Sequence, residues 1–195
     1  MKNNLSKFWN FTPLGLVMFL IVLVQVALTA IYERFTSLFW SYNLGACGHK
    51  LVVQKGTDIR YPKNISVGDL VTIGREVTIF TEFRDSKLVI GNNSQINKNV
   101  ELDYSGDLII GDNVVISSFT MIMSHDHGLN PHSQPNKVNK KIGSNTWIGA
   151  GAIILPQVQN IGNNSIIASG SVVTCDVGSN VIVGGNPAKI IRLLE

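Results

Sequence analysis

Cysteine, charge and aromatic side chains are all scarce in this chain of 195 residues. Its two cysteines, Cys47 and Cys175, lie far apart and form no CxxC pair, which argues against a disulfide framework or a thiolate metal site and is typical of a reducing compartment. Charged residues make up only 15% of the sequence, and the net charge of +3 is scattered. Because no basic stripe with interleaved aromatics is present, we expect no nucleic-acid partner.

Glycine and asparagine, by contrast, recur along the whole chain. Both residues accept the backbone conformations that tight corners require. Apolar residues are also abundant, at 45% of the sequence, so the chain has enough of them for a sizeable core. This composition predicts short strands separated by tight corners, with little helix after the N-terminus.

One long apolar run is present, at Leu14 to Ile31, and it holds 18 residues without a charge. At a rise of ~1.5 Å per residue, a helix of this length nearly matches a hydrocarbon core of ~30 Å. Residues 1–45 are therefore predicted to be a hydrophobic helix with a juxtamembrane segment that anchors the chain to a membrane. The alternatives are a cleaved signal peptide and a buried core helix.

Aromatic residues flank the apolar run on both sides, as expected where rings lie at a bilayer interface. Four large apolar residues after the run recur at helical spacing: Phe35, Leu38, Phe39 and Tyr42. This spacing indicates either an interfacial helix or a first helix packed on the domain. The lysines and arginines at the two ends barely decide an orientation. The flanking aromatic residues are Phe8, Trp9 and Phe11 before the run, and Tyr32, Phe35, Phe39 and Trp40 after it.

From Val67 onward, aliphatic residues return every six positions in triplets. A period of six fits neither a helix nor an alternating strand, but it fits a three-sided prism in which each side takes one hexad and a turn takes about eighteen residues. Five triplets predict five stacked coils, with an apolar column that no single coil buries alone. The triplets are Val67, Ile73, Ile79; Ile90, Ile96, Leu102; Ile110, Ile116, Ile122; Ile142, Ile148, Ile154; and Ile161, Ile167, Val173.

Many of these aliphatic residues are followed by glycine, which tolerates the dihedral angles of a corner. Asparagine and aspartate, which also accept left-handed conformations, cluster just after the glycines. The glycines are Gly68, Gly74, Gly91, Gly111, Gly143, Gly149 and Gly162, and the residues after them include Asn92, Asn93, Asp112, Asn113, Asn145, Asn163 and Asn164.

Repeats such as IGDNVVI, WIGAGAII and IGNNSII resemble those of the hexapeptide-repeat acyltransferases, which fold as left-handed parallel β-helices and usually work as trimers. The resemblance covers residues 46–195. The opening CGHKLVVQKGTDIRYPKNISVGDLVTIG, the closing GGNPAKIIR and the SHDHG step look most like the O-acetyltransferases of bacterial surface polysaccharide synthesis. The expected fold is thus an all-β solenoid behind an N-terminal hydrophobic helix, with a short capping helix from Ala188.

The six-residue rhythm breaks between Ile122 and Ile142, which are twenty positions apart. A polar loop, 126–141, is therefore expected to leave the prism just after His125, and long loops on rigid solenoids are often functional. In the resembling enzymes the histidine that matches His125 is the general base for direct attack of an acceptor hydroxyl on the thioester of acetyl-CoA. The alternative is a solvent-facing loop histidine.

A histidine base needs a partner on its other ring nitrogen. Asp126 should face away from His125, so Asp103, one coil earlier, is more promising. The resemblance also implies that Asp103 holds acceptor hydroxyls, with Asn97 and Asn99 as further acceptor-binding residues. The alternative for Asp103 is an ordinary corner residue.

His127 lies two positions after His125 and shares a face with it on an extended strand, a spacing that metal ligands also use. We expect no metal, because only His132 remains nearby as a third ligand. An acceptor-binding role is predicted for His127 instead.

The resemblance places the acetyl donor after the loop. It implies that Trp147 packs against the histidine or the donor, and that the backbone N–H of Ala150 stabilises the thioester oxyanion. Ser169, Gly170 and Thr174 match donor-lining positions. Lys189 and Arg192 are expected to supply charge for the CoA phosphates, because Cys175 stands where some relatives carry a basic residue. The alternatives are a Trp147 wedge between subunits and ordinary solvated cations.

The expected function is acetyl transfer from acetyl-CoA to a hydroxyl of a sugar in a surface polysaccharide or its lipid-linked precursor, by a homotrimer. Because acetyl-CoA is cytosolic, we expect residues 46–195 to face the cytoplasm from the bacterial inner membrane. The alternatives are an N-acetyltransferase for an amino-sugar nucleotide and a non-catalytic, membrane-tethered β-helix scaffold.

Overall fold

The computed structural model describes residues 13–194. Within that range a helix, α1 (Pro13–Asn43), is followed from Ala46 by short β-strands that we number β1 to β22 in chain order. The apolar run is thus helical, as predicted. The flanking residues Phe8, Trp9 and Phe11 lie outside the described part of the chain.

Most strands lie in three parallel sheets, faces A, B and C, which the chain visits in that order in every coil. Face A consists of β1 (Ala46–Cys47), β4 (Ile65–Val67), β7 (Leu88–Ile90), β10 (Leu108–Ile110), β15 (Lys140–Ile142) and β18 (Asn160–Ile161). Face B consists of β2 (Val52–Val53), β5 (Thr72–Ile73), β8 (Gln95–Ile96), β11 (Val115–Ile116), β16 (Trp147–Ile148), β19 (Ile166–Ile167) and β21 (Val181–Gly185). Face C consists of β3 (Asp58–Ile59), β6 (Thr78–Phe80), β9 (Glu101–Asp103), β12 (Met121–Ile122), β17 (Ile153–Ile154) and β20 (Val172–Val173).

The three remaining strands are β13 (His125–Asp126), β14 (Asn136–Lys137) and β22 (Ala188–Leu193). They pair antiparallel, β13 with β14 and β22 with β21. We call the three corners of the prism the AB, BC and CA edges.

The hexad registers predicted from the sequence are the registers of the sheets. Along face A each residue pairs with its counterpart in the next coil, in the order Val67, Ile90, Ile110, Ile142 and Ile161. The other two members of each triplet pair in the same way along faces B and C. All fifteen residues are buried. The predicted parallel β-helix of hexapeptide repeats is therefore confirmed, and each coil buries the apolar side chains of the next.

The described chain has more coils than the five predicted. Face B alone contains seven parallel strands, because coils were missed at both ends. The first coil buries Val53 and Ile59, and the last buries Val177 and Val183. Its face A has only a single bridge, between Ile161 and Val177.

Glycine is needed at the corners for a different reason from the one predicted. None of the seven has a positive φ. A Cβ at Gly91, for example, would lie 2.5 Å from a backbone carbon of Gly111, so these glycines allow coils to stack closely. The left-handed conformation instead belongs to asparagines of the AB edge, at Asn93, Asn113, Asn145, Asn164 and Asn180.

The AB-edge asparagines also form a ladder through their side-chain amides. Asn93 Nδ2 donates to Asn113 Oδ1 at 2.8 Å, and Asn113 Nδ2 donates to Asn145 Oδ1 at 3.1 Å. The same bond continues to Asn164 and Asn180. Each rung satisfies an amide that the stacked coils bring into register, so this edge is stabilised by asparagine for two separate reasons.

The C-terminal half of α1 packs on the first coil. Thr36 Oγ1 donates to the Val53 carbonyl, and Ser37 Oγ accepts from the Val53 N–H, each at 2.8 Å. Leu44 is buried, and Trp40 packs against the core. The predicted stripe of Phe35, Leu38, Phe39 and Tyr42 is exposed instead, so the helix docks through a different face.

By length and composition α1 is suited to crossing a membrane, and its apolar window is uncovered by the rest of the described chain. The helix passes from this window to the docked part without a break.

The predicted capping helix from Ala188 is wrong. Residues Ala188–Leu193 form β22, which returns along β21 with a register shift between Ile182 and Val183. Two of its apolar side chains, Ile190 and Ile191, are exposed. Backbone pairing with the last face-B strand satisfies the groups at the end of the solenoid, so a helix is not needed there.

Length variation is concentrated at the CA edge. Steps from face A to B and from B to C in the triplets are six residues, whereas the steps from face C back to face A range from seven, between Ile154 and Ile161, to twenty, between Ile122 and Ile142. A rigid prism therefore presents its irregular segments along one edge, and His125 stands there.

Candidate active site

The site is centred on a hydrogen-bonded pair at the CA edge. Nδ1 of His125 lies 2.7 Å from Oδ2 of Asp103. Asp103 ends β9, and His125 follows β12 by three residues, so adjacent coils bring the two side chains together. A carboxylate on Nδ1 fixes the tautomer in which Nδ1 carries the proton and Nε2 has a free lone pair. The His125 side chain is 19% exposed, which leaves the ring accessible.

The Asp103 carboxylate is buried and fully bonded. Oδ1 accepts from the N–H and the hydroxyl of Ser105, at 2.9 and 2.5 Å. Oδ2 accepts from the N–H of Ser124 at 2.6 Å in addition to its contact with His125. The Asp103 side chain is 1% exposed and its oxygens are taken up by these partners, a position suited to holding the His125 ring. The acceptor-binding role of Asp103 stays a prediction.

Ser124 locks the backbone that carries His125. Its hydroxyl donates to the Asp103 carbonyl at 2.7 Å, and the Gly106 N–H donates to the same hydroxyl at 3.1 Å. Its carbonyl accepts from the Val138 N–H, where the loop returns. The polar groups that surround the pair therefore belong to two successive passes of the chain along the CA edge, and the second pass contributes both where it leaves β12 and where it returns to β15.

The loop is shorter than predicted and contains a hairpin. It leaves after His125, as expected, and β13 and β14 pair at its base, but the next face-A strand already begins at Lys140 rather than after residue 141. Lys137 Nζ pairs with Asp85 at 2.6 Å and lies 4.5 Å from the centre of the Phe83 ring. These contacts fasten the hairpin to the CA corner between β6 and β7, two coils earlier.

His127 lies beside the pair. Its Nδ1 is 2.8 Å from the Ser133 carbonyl, and its ring meets that of His125 edge to face, with centroids 5.4 Å apart. Asp126 faces elsewhere, as predicted, because its Oδ1 accepts from the Gly128 N–H. Between residues 13 and 194, no group of three His, Cys, Asp or Glu side chains is arranged to hold a metal ion.

A buried lysine lies along the same edge. Lys140 is 2% exposed, and its Nζ donates to the carbonyls of Leu155 and Pro156, at 3.2 and 3.4 Å, and of Val158. Burial lowers the pKa of this ammonium to about 8, against the opposing attraction of Asp176 and Asp103. Inside the solenoid this ammonium satisfies backbone carbonyls of the CA corner that follows β17.

The other predicted acceptor residues lie on another edge. Asn97 and Asn99 are at the BC edge, where Asn97 Oδ1 accepts from Gln95 Nε2 at 2.8 Å and Asn99 has a φ of 56°. Trp147 begins the face-B strand of the fifth coil, is 53% exposed, and donates from Nε1 to Ser117 Oγ at 2.9 Å. Within the chain it makes no contact with His125 that matches the predicted packing.

Ala150 lies at the BC edge and is exposed. The N–H groups of its neighbours donate along the solenoid, from Gly149 to the Ile167 carbonyl and from Gly151 to the Ser118 carbonyl. Among the hydrogen bonds of residues 13–194, none uses the Ala150 N–H. Within the described chain this donor therefore has no partner, and it belongs to an exposed residue.

The remaining predicted donor-binding residues follow toward the C-terminal end. Ser169 and Gly170 are exposed at the BC edge one coil after Ala150, Thr174 is half-buried at the start of the next CA corner, and Lys189 and Arg192 are exposed on β22. Within one chain, the predicted residues therefore divide between the CA edge with His125 and the BC edge with Ala150. Thr120 and Ser124 lie at the two ends of the face-C segment of the fourth coil, so the four residue steps between them measure the separation of the BC and CA edges. That separation is on the order of 13 Å.

Ser105, Ser124 and Lys140 were not predicted. The two serines had a weak sequence signal, since each lies within two residues of Asp103 or His125. Lys140 had none, because three lysines in a polar stretch suggest a solvated loop, and only the inward register of β15 buries the first side chain of that strand.

The fold and the edge site together define a parallel β-helix of hexapeptide repeats with a carboxylate–histidine pair. A family profile described as bacterial transferase hexapeptide (six repeats) matches residues 139–175. Over these residues the chain is therefore similar to the hexapeptide-repeat transferases.

Curated relatives match over half of the chain or more. The galactoside O-acetyltransferase of Escherichia coli K12 is 37% identical over 111 residues, which is 55% of this chain and 54% of that protein. The galactoside O-acetyltransferase of Lactococcus lactis is 33% identical over 60% of this chain and 58% of that protein. The chain thus spans little more than half the length of these relatives. A longer but weaker match, 28% identical over 69% of this chain and 74% of that protein, is the E. coli protein named "Putative lipopolysaccharide biosynthesis O-acetyl transferase WbbJ".

Solved structures share the fold over most of the chain. A hexapeptide-repeat acetyltransferase of Vibrio cholerae has a TM-score of 0.63 at 28% identity and covers 84% of this chain and 81% of its own. The N-acyltransferase AntD of Bacillus cereus, solved with dTDP and coenzyme A, has a TM-score of 0.69 at 25% identity and covers 80% of this chain and 88% of its own.

Proposed function

We propose that this protein transfers an acetyl group from acetyl-CoA to a hydroxyl of a sugar in a surface polysaccharide or its lipid-linked precursor. The observation that carries the proposal is the pair of Asp103 and His125, in which a buried, fully bonded carboxylate holds a partly exposed imidazole. The hydrogen bonds to the carboxylate offset the cost of burying it, and a neutral imidazole held in this way is suited to proton transfer near physiological pH.

In the proposed reaction, Nε2 of His125 accepts the proton of the acceptor hydroxyl while its oxygen attacks the thioester carbonyl. The tetrahedral intermediate carries its negative charge on the former carbonyl oxygen. Collapse breaks the C–S bond, the CoA thiolate leaves, and His125 returns the proton to sulfur. Asp103 remains a carboxylate throughout and stabilises the imidazolium that forms in between.

The BC edge has the features that a CoA thioester requires. The free N–H of Ala150 is a donor for the developing oxyanion, a role for which a single hydrogen bond contributes about 3 kcal/mol. In coils five and six the left-handed position of this edge is Gly151 and Gly170, although asparagine fills the same position at the AB edge of those coils, at Asn145 and Asn164. An added Cβ at Gly151 or Gly170 would meet nothing within 4 Å. Glycine there leaves an open path for a pantetheine arm.

We further infer that the working form is a homotrimer. His125 and Ala150 are on different edges of one chain, so a single prism does not present the base and the oxyanion donor to the same carbonyl. If the flat sides of three prisms pack around a threefold axis, the CA edge of one chain lies against the BC edge of the next. The exposed Trp147 and Asn99 and the half-buried Asn97 then lie on the donor side of a shared site.

The membrane helix supports an acceptor that is held at a membrane. Anchoring at the surface where a lipid-linked glycan is assembled raises the effective concentration of that acceptor. Since acetyl-CoA is cytosolic, the β-helix faces the cytoplasm in this proposal. The similarity to "Putative lipopolysaccharide biosynthesis O-acetyl transferase WbbJ" favours a glycan acceptor.

A second candidate is N-acetylation of an amino-sugar nucleotide. It is favoured by the structural likeness to AntD, an N-acyltransferase that was solved with dTDP and coenzyme A. His125 would keep its role, because an attacking amine also loses a proton. A scaffold without catalysis is disfavoured by the bonded pair at the CA edge.

The first test is release of free thiol from acetyl-CoA by membranes that carry the full chain, with lipid-linked glycan or an amino-sugar nucleotide as acceptor. Glycan-dependent release that is lost in His125→Ala and kept in His132→Ala, an exposed loop histidine, is the expected result. Release only with the amino sugar supports the second candidate. An active His125→Ala enzyme would refute the assigned base.

A further inference from the structure

A groove lies where α1 meets the first coil. It has a volume of about 650 Å³, and its apolar walls include Ile31, Phe35 and Leu38 from the helix and Leu51 from the coil. The groove is remote from His125, which belongs to the fourth coil and the CA edge, whereas this groove borders the AB edge of the first coil. Neither the proposed reaction nor the docking of α1 through Thr36 and Ser37 explains its apolar walls.

Three cationic or titratable side chains line the same groove: Arg34 from α1, and His49 and Lys50 from the AB corner. All three are exposed. In the described chain, 13–194, no hydrogen bond or ion pair uses their side chains. Other cations nearby are engaged, since Arg75 pairs with Glu33 at 3.5 Å and Lys63 Nζ donates to the Tyr42 carbonyl at 3.2 Å.

The acidic groups near the groove offset its positive charge only in part. Glu33 is on α1 but pairs with Arg75. Asp69 lies one coil further on, where its Oδ1 accepts from the backbone N–H of His49 at 2.6 Å. The groove therefore combines apolar walls with an excess of positive charge, which is complementary to an amphiphile with an anionic head.

The position of the groove along α1 matches a bilayer interface. The uncharged run ends at Ile31, and Arg34 follows one turn later, about 4.5 Å along the axis. Val24, Leu28, Ile31, Phe35 and Leu38 recur at intervals of three and four residues, so one exposed stripe passes from the apolar run into the groove. Acyl chains along that stripe would bring a headgroup to the level of Arg34 and Lys50.

We propose that this groove binds one anionic phospholipid, with the headgroup phosphate between Arg34 and Lys50 and an acyl chain along the stripe from Phe35 to Val24. The proposal rests on the membrane insertion of α1 in the proposed function and is independent of acetyl transfer. Because α1 continues into the first coil without a linker, a lipid bound here restricts how the β-helix is oriented on the membrane.

The test uses the full chain in mild nonionic detergent, titrated with phosphatidylglycerol, phosphatidylcholine or inorganic phosphate, with bound lipid counted by native mass spectrometry. We expect phosphatidylglycerol to bind about tenfold more tightly than phosphatidylcholine, and the double variant Arg34→Gln, Lys50→Gln to lose most of that preference. The matched control is Lys55→Gln, Arg60→Gln, which removes two exposed charges from other edges of the same coil. It should keep the preference within about twofold.

Equal binding of the two lipids, equal losses in both double variants, or saturation by phosphate alone would overturn the proposal. The proposal would also be overturned if the groove became exposed only when an oligomer dissociates, since the occupant of the groove would then be a second copy of the chain. Flotation with phosphatidylcholine vesicles and thiol release are measured on the same preparations. Failure of the native chain to float refutes the anchor. Absence of thiol release by the native chain refutes the proposed reaction. Absence of the lipid preference, with flotation and thiol release intact, refutes this site alone.

Discussion

Asp103 and His125 are 22 residues apart in the sequence, and their side chains are 2.7 Å apart in the fold. They meet because Leu102 and Ile122 pair across neighbouring coils of face C, so the residues that follow both strands reach the same edge. The carboxylate is buried, whereas the imidazole is partly exposed. In the proposed reaction, this difference in exposure makes the histidine the base and the aspartate the residue that orients it.

Asp103→Asn is expected to lower kcat on the order of 10²-fold or more, because an amide does not fix the tautomer or stabilise an imidazolium as a carboxylate does. The measurement is thiol release under saturating substrates. The control is Asp107→Asn, a neighbouring exposed aspartate whose Oδ1 accepts from the Lys87 N–H at 2.9 Å. It should retain nearly full activity.

The double variant Asp103→Asn, His125→Ala tests whether the two residues act as a unit. It should be no slower than His125→Ala alone, since the orienting carboxylate has nothing left to orient. If the two losses multiply instead, Asp103 acts independently of His125 and its assigned role is wrong.

Gly170→Asn should raise the KM for acetyl-CoA about tenfold or more while leaving the urea midpoint nearly unchanged. Asparagine accepts the φ of 69° and meets no protein atom, but its side chain enters the proposed path of the pantetheine arm. Asn164→Gly, at the AB edge of the same coil, is the control and should not change KM. An unchanged KM in Gly170→Asn would place the donor elsewhere.

Asn113→Ala is expected to lower the free energy of unfolding by roughly 1–2 kcal/mol, because alanine at a φ of 56° pays the left-handed penalty. It also breaks two rungs of the amide ladder. Asn113→Gly removes the same rungs without the backbone penalty, so urea unfolding should place it between Ala and Asn. Equal losses in both variants would assign the effect to the ladder alone.

Lys140 should make stability depend on pH in the alkaline range. Its pKa is about 8 in the folded chain and near 10.5 in the unfolded chain, so between these values the unfolded state binds more protons. The free energy of unfolding therefore rises with pH from about 8 to 10.5, by at most about 3 kcal/mol from this group, and the penalty is fully present below pH 8.

The measurement compares urea midpoints of the native chain and Lys140→Met over that pH range. The native chain should gain stability relative to Lys140→Met as the pH rises. Lys141→Met, which alters the exposed lysine of the same strand, should follow the native chain. Parallel pH curves for the native chain and Lys140→Met would show that the ammonium is not desolvated as described.

The period of six in the sequence predicts the core with little error, because it is a local property repeated along the chain. Ile79, Leu102, Ile122, Ile154 and Val173 are buried in one column, as their spacing indicates. The prediction failed where local pattern does not determine backbone pairing. Ala188–Leu193 has no hexad and suggests a cap, yet it is a strand because β21 offers an unpaired edge.

The glycines illustrate the same difference. The sequence indicates correctly where the corner glycines lie, but it does not indicate why glycine is needed there. Both a positive φ and a close approach of another backbone favour glycine. Only the stacked coils show that Gly91 faces the backbone of Gly111, while Asn93 takes the left-handed conformation.

The sequence by itself determined the three-sided prism, the apolar helix before it, and the break in rhythm that marks His125, since each depends on the order of residues along a few turns. The tertiary structure decided the partner of that histidine, the inward direction of Lys140, the division of the predicted site between two edges, and the cationic groove beneath α1. The physical reason is that coils separated by about twenty residues become neighbours only when they stack, so contacts between coils are not written in any local pattern.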